Sequence, residues 1–213
     1  MELSQRRRGL FGKRESGLPK EYQKVEYIES TGEQVINLNI DPRGSDSTDH
    51  FKMYIKMRPS IAKKSDNYFF GANGDYFTFE YYDIPNRGYY YNFGNSTVLL
   101  PHNKNVGGED VEYLITCDSG IATVTGTYDG TANYTSRIGK GPLGIFSRYN
   151  KDYYSTMRLY QLQFWQGESY PCIGEYIPCY RKFDNKPGLY DIVTKTFYTN
   201  QGTGEFLVGP DVN

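Results

Sequence analysis

The chain reads as an all-β protein, an antiparallel two-sheet β-sandwich with an extended N-terminal arm. Three observations predict this. Tyr (22), Phe (12) and Gly (23) are abundant among its 213 residues, which suits short strands joined by turns. Apolar and polar residues alternate in runs that recur at roughly ten-residue spacing with turn residues between them, the pattern of a sandwich. No internal repeat or low-complexity tract is visible, and sandwiches of about this length fold as one domain. The hydrophobic fraction of 38% is low, but tyrosine supplies bulk that packs while its hydroxyl stays wet.

Residues 1–20 form the arm and residues 21–213 the sandwich. Arg6, Arg7, Arg8, Lys13 and Arg14 against Glu2 give residues 1–14 a charge of +4, leaving −5 on the rest of a chain whose net charge is −1. Gly9, Gly12 and Gly17 interrupt any helix there, and no apolar segment follows the arginines as a signal peptide would require. No run of 18 apolar residues exists to span a membrane.

Strands begin at Lys24. Ile36, Leu38 and Ile40 face one way and Asn37 and Asn39 the other. Phe51, Met53, Ile55 and Met57 alternate with Lys52, Tyr54, Lys56 and Arg58, as in a half-buried strand. Tyr68–Gly71 and Tyr76–Tyr82 follow, with Phe77, Phe79 and Tyr81 inward, and Tyr89–Phe93 pairs next. Val111–Cys117, the turn Asp118-Ser-Gly120 and Ile121–Thr127 make a hairpin. Pro142–Phe146 and Met157–Trp165 bring the sheet back.

In the last forty residues Tyr176, Pro178 and Tyr180 alternate with Glu175, Ile177 and Cys179. Pro178 lacks a donor, which predicts an edge strand or a bulge. Asn185-Lys-Pro-Gly188 is turn chemistry. Leu189–Val193 and Thr196–Thr199 are strand runs joined by Thr194-Lys195 as a two-residue connection.

Two stretches carry a resemblance. The head is Glu26-Tyr-Ile-Glu-Ser-Thr-Gly-Glu-Gln34. The tail comprises Ile177-Pro-Cys-Tyr-Arg181, Gly188-Leu-Tyr-Asp191, Phe197-Tyr-Thr-Asn200, Gly202-Thr-Gly-Glu-Phe206 and Gly209-Pro210. Together they resemble a group of proteins from gut bacteria and their phages that carry a concanavalin A-like, laminin-G-like β-sandwich. The resemblance implies that fold, a jelly roll, over about residues 20 to 212. It also implies a non-enzymatic virion protein, present in many copies, serving as a head decoration, a head fibre or a tail-associated protein. The alternative is a carbohydrate-binding or adhesin module for host-surface or mucosal glycans.

Within that frame the arm is a docking peptide. Arg6, Arg7 and Arg8 would pair with carboxylates of a capsid or tail protein, while Leu10 and Phe11 fill an apolar pocket. That compact pattern fits a protein groove better than nucleic acid, which wants spread cations and interleaved aromatics. Folding in a bacterial cytoplasm suits Cys117, Cys172 and Cys179, an odd set read as free thiols packed as small hydrophobes. Location on a virion, or on a bacterial surface, follows from the resemblance.

Candidate chemistry divides the remaining residues. Glycoside hydrolysis needs two facing carboxylates, and in Asp75…Glu80…Asp83 the spacings of five and three put Glu80 on the opposite strand face from both others. His50 and His102 stand apart from every cysteine and no Gly-x-Ser-x-Gly elbow exists, so no catalytic residue is assigned. No cofactor is called for. Asp41, Asp46 and Asp49 in one loop would offer hard oxygen ligands to Ca²⁺, against the plain alternative of turn residues. Tyr76, Glu80, Tyr82, Tyr89 and Tyr91, with Asn92 and Asp83, form the candidate carbohydrate site. Exposed rings would stack on pyranoses, and the competing reading is cross-strand tyrosine pairing. Trp165 is expected at the edge of the core.

Overall fold

The computed structural model describes residues 17–43, 50–60, 67–72, 77–81, 89–100, 108–135, 141–149 and 153–213. These form two antiparallel sheets packed face to face, with no helix among the described residues. The larger sheet runs in the order β11 (Gly130–Asn133), β10 (Ile121–Gly126), β9 (Val111–Asp118), β4 (Phe51–Pro59), β13 (Thr156–Gln166), β14 (Cys172–Arg181), β15 (Lys186–Asp191) and β16 (Thr196–Thr199). Three short strands complete its eleven: β1 (Tyr22–Lys24) on β14, β2 (Ile28–Thr31) on β13, and β17 (Leu207–Val208) on β2. The six-stranded sheet runs β3 (Ile36–Leu38), β12 (Leu143–Ile145), β5 (Asn67–Gly71), β6 (Phe77–Tyr81), β7 (Tyr89–Phe93) and β8 (Ser96–Leu100).

Alternation places the core. Phe51, Met53, Ile55 and Met57 of β4 are fully buried, with the intervening residues half-buried outside. Val111, Tyr113, Ile115 and Cys117 of β9 continue that inner face. The six-stranded sheet answers with aromatics: Phe77 meets Phe51 edge-on with ring centroids 5.3 Å apart, and Phe79 and Tyr91 both meet Tyr113. Burying each such side chain stabilises the fold by about 1.5–3 kcal/mol. The hairpin at Asp118–Ile121 turns through Ser119 and Gly120, both at positive φ, as a two-residue type I′ connection requires.

The tail departs from its sequence reading in three places. Pro178 lies inside the sheet. β14 pairs with β13 as far as Tyr176 and with β1 from Cys179 onward. Pro178 falls where one neighbour gives way to the other, so its missing donor costs no ladder bond. Pro187 and Gly188 belong to β15 rather than to the turn, which is made by Lys182–Asn185 with Asn185 at φ 54°. The β15–β16 connection is four residues, Ile192–Lys195. Its shape is set by Asp191, fully buried, which accepts from Glu175 N, Val193 N and Thr194 Oγ1 at 3.1, 2.9 and 2.7 Å.

The first passage between the sheets is a short one. After β2 the chain crosses through Gly32–Val35 to β3, and the tail grips the crossing. Asn200 Oδ1 accepts from Val35 N (3.0 Å) and Gly202 N (2.8 Å), while its Nδ2 donates to Thr203 O and Gly204 O. Gln201 N donates to Val35 O, and Thr203 N to Glu33 O. Gln34, buried, donates to Thr203 O and accepts from Thr31 N. A Cβ on Gly202 would stand 2.1 Å from Glu33 O. At the far rim Asn95 exchanges hydrogen bonds of 2.8 and 2.9 Å with Thr135.

Gly202→Ala is therefore expected to lower stability by about 2 kcal/mol or more through forced backbone movement. Asn200→Ala should cost a similar amount, about 2 kcal/mol, through orphaned groups. Urea unfolding midpoints measure both, and unchanged midpoints would show that the crossing does not need this clasp.

Candidate functional site

The register of the six-stranded sheet fixes what its outer face displays. Tyr68, Glu80, Tyr90 and Leu99 lie directly across from one another on β5 to β8, and Gly71, Thr78, Asn92 and Thr97 form the next row. Between them runs the core row of Phe70, Phe79, Tyr91 and Val98. Phe69 is the extra residue where the β5–β6 register shifts, and the bulge lets Phe69 and Phe70 both pack inward while Tyr68 stays outward.

Asn92 is the hub. Its Nδ2 donates to Glu80 Oε1 at 2.6 Å and Thr78 Oγ1 at 2.9 Å, and its Oδ1 accepts from the exposed Thr97 hydroxyl at 2.7 Å. Glu80 is only 5% exposed although it lies on an outer face. Beside it the Tyr68 and Tyr153 rings meet at 5.4 Å, and the Arg148 guanidinium lies 5.4 and 5.2 Å from them. Gly71 makes room for Arg148, since a Cβ there would stand 3.1 Å from Arg148 Cγ. Tyr153 is 48% exposed and holds φ at 58°. That conformation is unusual for a bulky side chain and is a recurrent mark of functional positions.

Of the candidate carbohydrate residues, Glu80 sits on this face, but Tyr89 and Tyr91 do not. They are 1% and 0% exposed. The register sets Tyr89 across from Tyr81 and Tyr91 across from Phe79, with the Tyr91 and Phe79 rings stacked at 3.9 Å. Burial raises both phenol pKa values. They belong to the core. Tyr76, Tyr82, Asp75 and Asp83 lie outside the described residues, as do Arg6, Arg7, Arg8, Leu10, Phe11, Asp46, Asp49 and His102. The sequence reading missed Tyr68, Tyr153, Arg148 and Thr97. Only Asn92, as the polar member beside Phe93, marked which phase of β7 faces out.

Other expectations resolve individually. Asp41 Oδ1 accepts from Arg43 N at 3.1 Å, a turn role. Among the described residues no three His, Cys, Asp or Glu side chains gather as a metal site. His50 Nδ1 sits 3.0 Å from Asp118 Oδ1, and Tyr170 donates to Asp118 Oδ2 at 2.7 Å. Hydrogen bonds from Tyr170 and Ser119 hold the Asp118 carboxyl below its ordinary range. Cys117 and Cys179 are buried and in no disulfide, and burial pushes the Cys179 thiol up to about 12. Cys172 is also in no disulfide but is exposed, contrary to its reading as a packed residue, because it is the first residue of β14.

What this face can do is present a hydroxyl, an amide, a buried carboxylate and an exposed ring in fixed geometry. No family model matches the chain, and no curated protein does. Among solved structures it is similar to one named as a "putative carbohydrate binding protein" from Bacteroides ovatus ATCC 8483, with a TM-score of 0.59 and 10% identity. The similarity covers 89% of this chain and 62% of that one, so this chain spans less than two thirds of that protein's length. At this identity the likeness shows a shared β-sandwich fold.

Tyr91 and Asn92 are adjacent but face opposite ways, and their variants should separate. The Tyr91 hydroxyl is buried without a hydrogen-bond partner, so Tyr91→Phe is expected to leave thermal stability unchanged or raise it by up to about 1 kcal/mol. Asn92→Ala strips a donor from buried Glu80 and should cost about 1–3 kcal/mol. Calorimetric melts of the two variants decide it, and a destabilised Tyr91→Phe would place that hydroxyl in a bond.

Proposed function

We propose that the chain is a non-catalytic carbohydrate-binding module whose ligand lies on the outer face of the six-stranded sheet, over Thr97, Asn92 and Tyr153. The observation that carries this reading is the hydrogen-bonded line from exposed Thr97 through Asn92 to buried Glu80, beside a half-exposed tyrosine ring backed by Tyr68 and Arg148. Sugars are recognised by such a pairing, with planar hydrogen-bonding groups fixing hydroxyls and an aromatic face meeting the apolar side of the ring. The fold shared with the Bacteroides ovatus protein supports the same reading. Particle display, the other role the resemblance implies, rests on arm residues Arg6, Arg7, Arg8, Leu10 and Phe11, which lie outside the described residues, and neither the fold nor the comparisons support it.

A glycan array tests the proposal. The chain is expected to bind one glycan class saturably. Tyr153→Asn, which keeps a residue tolerated at positive φ, should weaken that binding roughly tenfold, about 1.4 kcal/mol. Silence across the array, or full affinity in the variant, would sink it.

A further inference from the structure

The outer face of the eleven-stranded sheet carries a feature the first site does not use. Gln163 alternates with core Leu162 and Phe164 and therefore points outward, between Tyr54 of β4 and Glu175 of β14. It is nevertheless only 6% exposed, and its Oε1 is buried with no hydrogen-bond partner in the protein. A carbonyl oxygen so placed loses water without gaining a bond, which costs folding free energy, so its presence calls for something other than folding.

Its surroundings suit a ligand. Two register shifts bracket it: Tyr160 is the extra residue of β13 against β4, and Ile173 the extra residue of β14 against β13. Such bulges re-aim side chains next to sites. Half-buried Tyr54, Tyr160 and Trp165 thereby share one face with Gln163. Several charges of that face are engaged locally, while the Glu175 carboxylate stands across from Gln163. Arg58 pairs with Asp110 at 2.6 Å and Arg158 with Glu29 at 2.8 Å, Tyr54 donates to Glu112, and Lys52 sits 3.4 Å from the centre of the Tyr170 ring. Paired charges give little net attraction for an ionic ligand. An amide offering donor and acceptor amid aromatic rings matches a neutral diol on a flat ring.

We infer a second carbohydrate site, for neutral pyranosides, centred on Gln163 and Trp165 on the sandwich face opposite the first. The ligand class follows the carbohydrate reading above, while the site rests on its own unpartnered amide. Two opposed sites would make one chain bivalent, able to bridge two glycan strands.

Trp165 is the only tryptophan in the chain, so its emission reports this face alone. The experiment titrates the full chain with neutral gluco-, xylo-, manno- and galacto-oligosaccharides while following that emission, with calorimetry in parallel. A saturable emission change is expected, weakened at least tenfold by Gln163→Met and untouched by Tyr153→Asn. Gln163→Met should also melt no lower than the wild type, which separates lost binding from lost folding. Calorimetric binding abolished by Tyr153→Asn with silent Trp165 would overturn this site and leave the first standing. An emission response lost in Gln163→Met, with no binding sensitive to Tyr153→Asn, would sustain this site and remove the first. Silence by both methods, or an emission change indifferent to Gln163→Met, overturns it.

Discussion

A sandwich must pass its chain from one sheet to the other without leaving the crossing backbone unpaired. Here the first such passage is the short link between β2 and β3, and the Asn200 side chain acts as its missing neighbour. One amide satisfies Val35 N from the outside and Gly202 N and two tail carbonyls from the inside. The close approach works only because Gly202 has no side chain to meet Glu33 O. Around this clasp Ser30 donates to Ser155 O, Gly209 N donates to Tyr27 O and Glu26 N to Pro210 O, while Phe206 packs on Phe146 at 4.7 Å. The chain's early and late segments are thus one structural unit.

That unit consists of the same residues that carry the family resemblance. Ser30, Gln34, Asn200, Gly202, Gly209 and Pro210 all have partners within it, Phe206 packs on Phe146, and Asp191 caps a turn. Arg181 is held by Asp184 at 2.7 Å. Each such position answers a folding demand, so the motifs specify a sandwich and are silent about ligands. Function has to be sought where those motifs do not reach, on the outer faces of the middle strands.

How much was legible follows from the residue types. Where apolar and charged residues alternate, as from Phe51 to Arg58, the phase is unambiguous and the strand sits as read. The run Tyr89-Tyr-Tyr-Asn-Phe93 alternates nothing until Asn92, because tyrosine serves core and surface equally. Its inner and outer members are told apart by Asn92 alone in the sequence and by the pairing of Tyr91 with Phe79 in the fold. Bulges at Phe69 and Tyr160 reset the phase with no adjacent glycine or proline to announce them, whereas the one at Ile173 stands beside Gly174. Tyr153 reaches the site from a distant segment, a placement that tertiary folding alone decides. In the tail, Pro187 and Gly188 read as a turn, yet Gly188 serves close packing, since a Cβ there would stand 2.2 Å from Tyr198 O.

On the six-stranded face the polarity of the surface is set below the surface. A carboxylate with little access to water must be given donors or it loses its charge, and Asn92 Nδ2 supplies one to Glu80. The same NH₂ also faces Thr78 Oγ1, and a flip would turn the amide oxygen onto the acceptor-only Glu80 carboxylate, so the amide keeps a single orientation. Its oxygen then has to point toward Thr97, and it takes the Thr97 hydroxyl proton. What remains for an incoming molecule at Thr97 is lone pairs, which means the group docking there must donate. A buried acid two strands away thus dictates that a donating group, as the hydroxyl of the proposed glycan would be, and not an ether or carbonyl oxygen, is what this spot can receive.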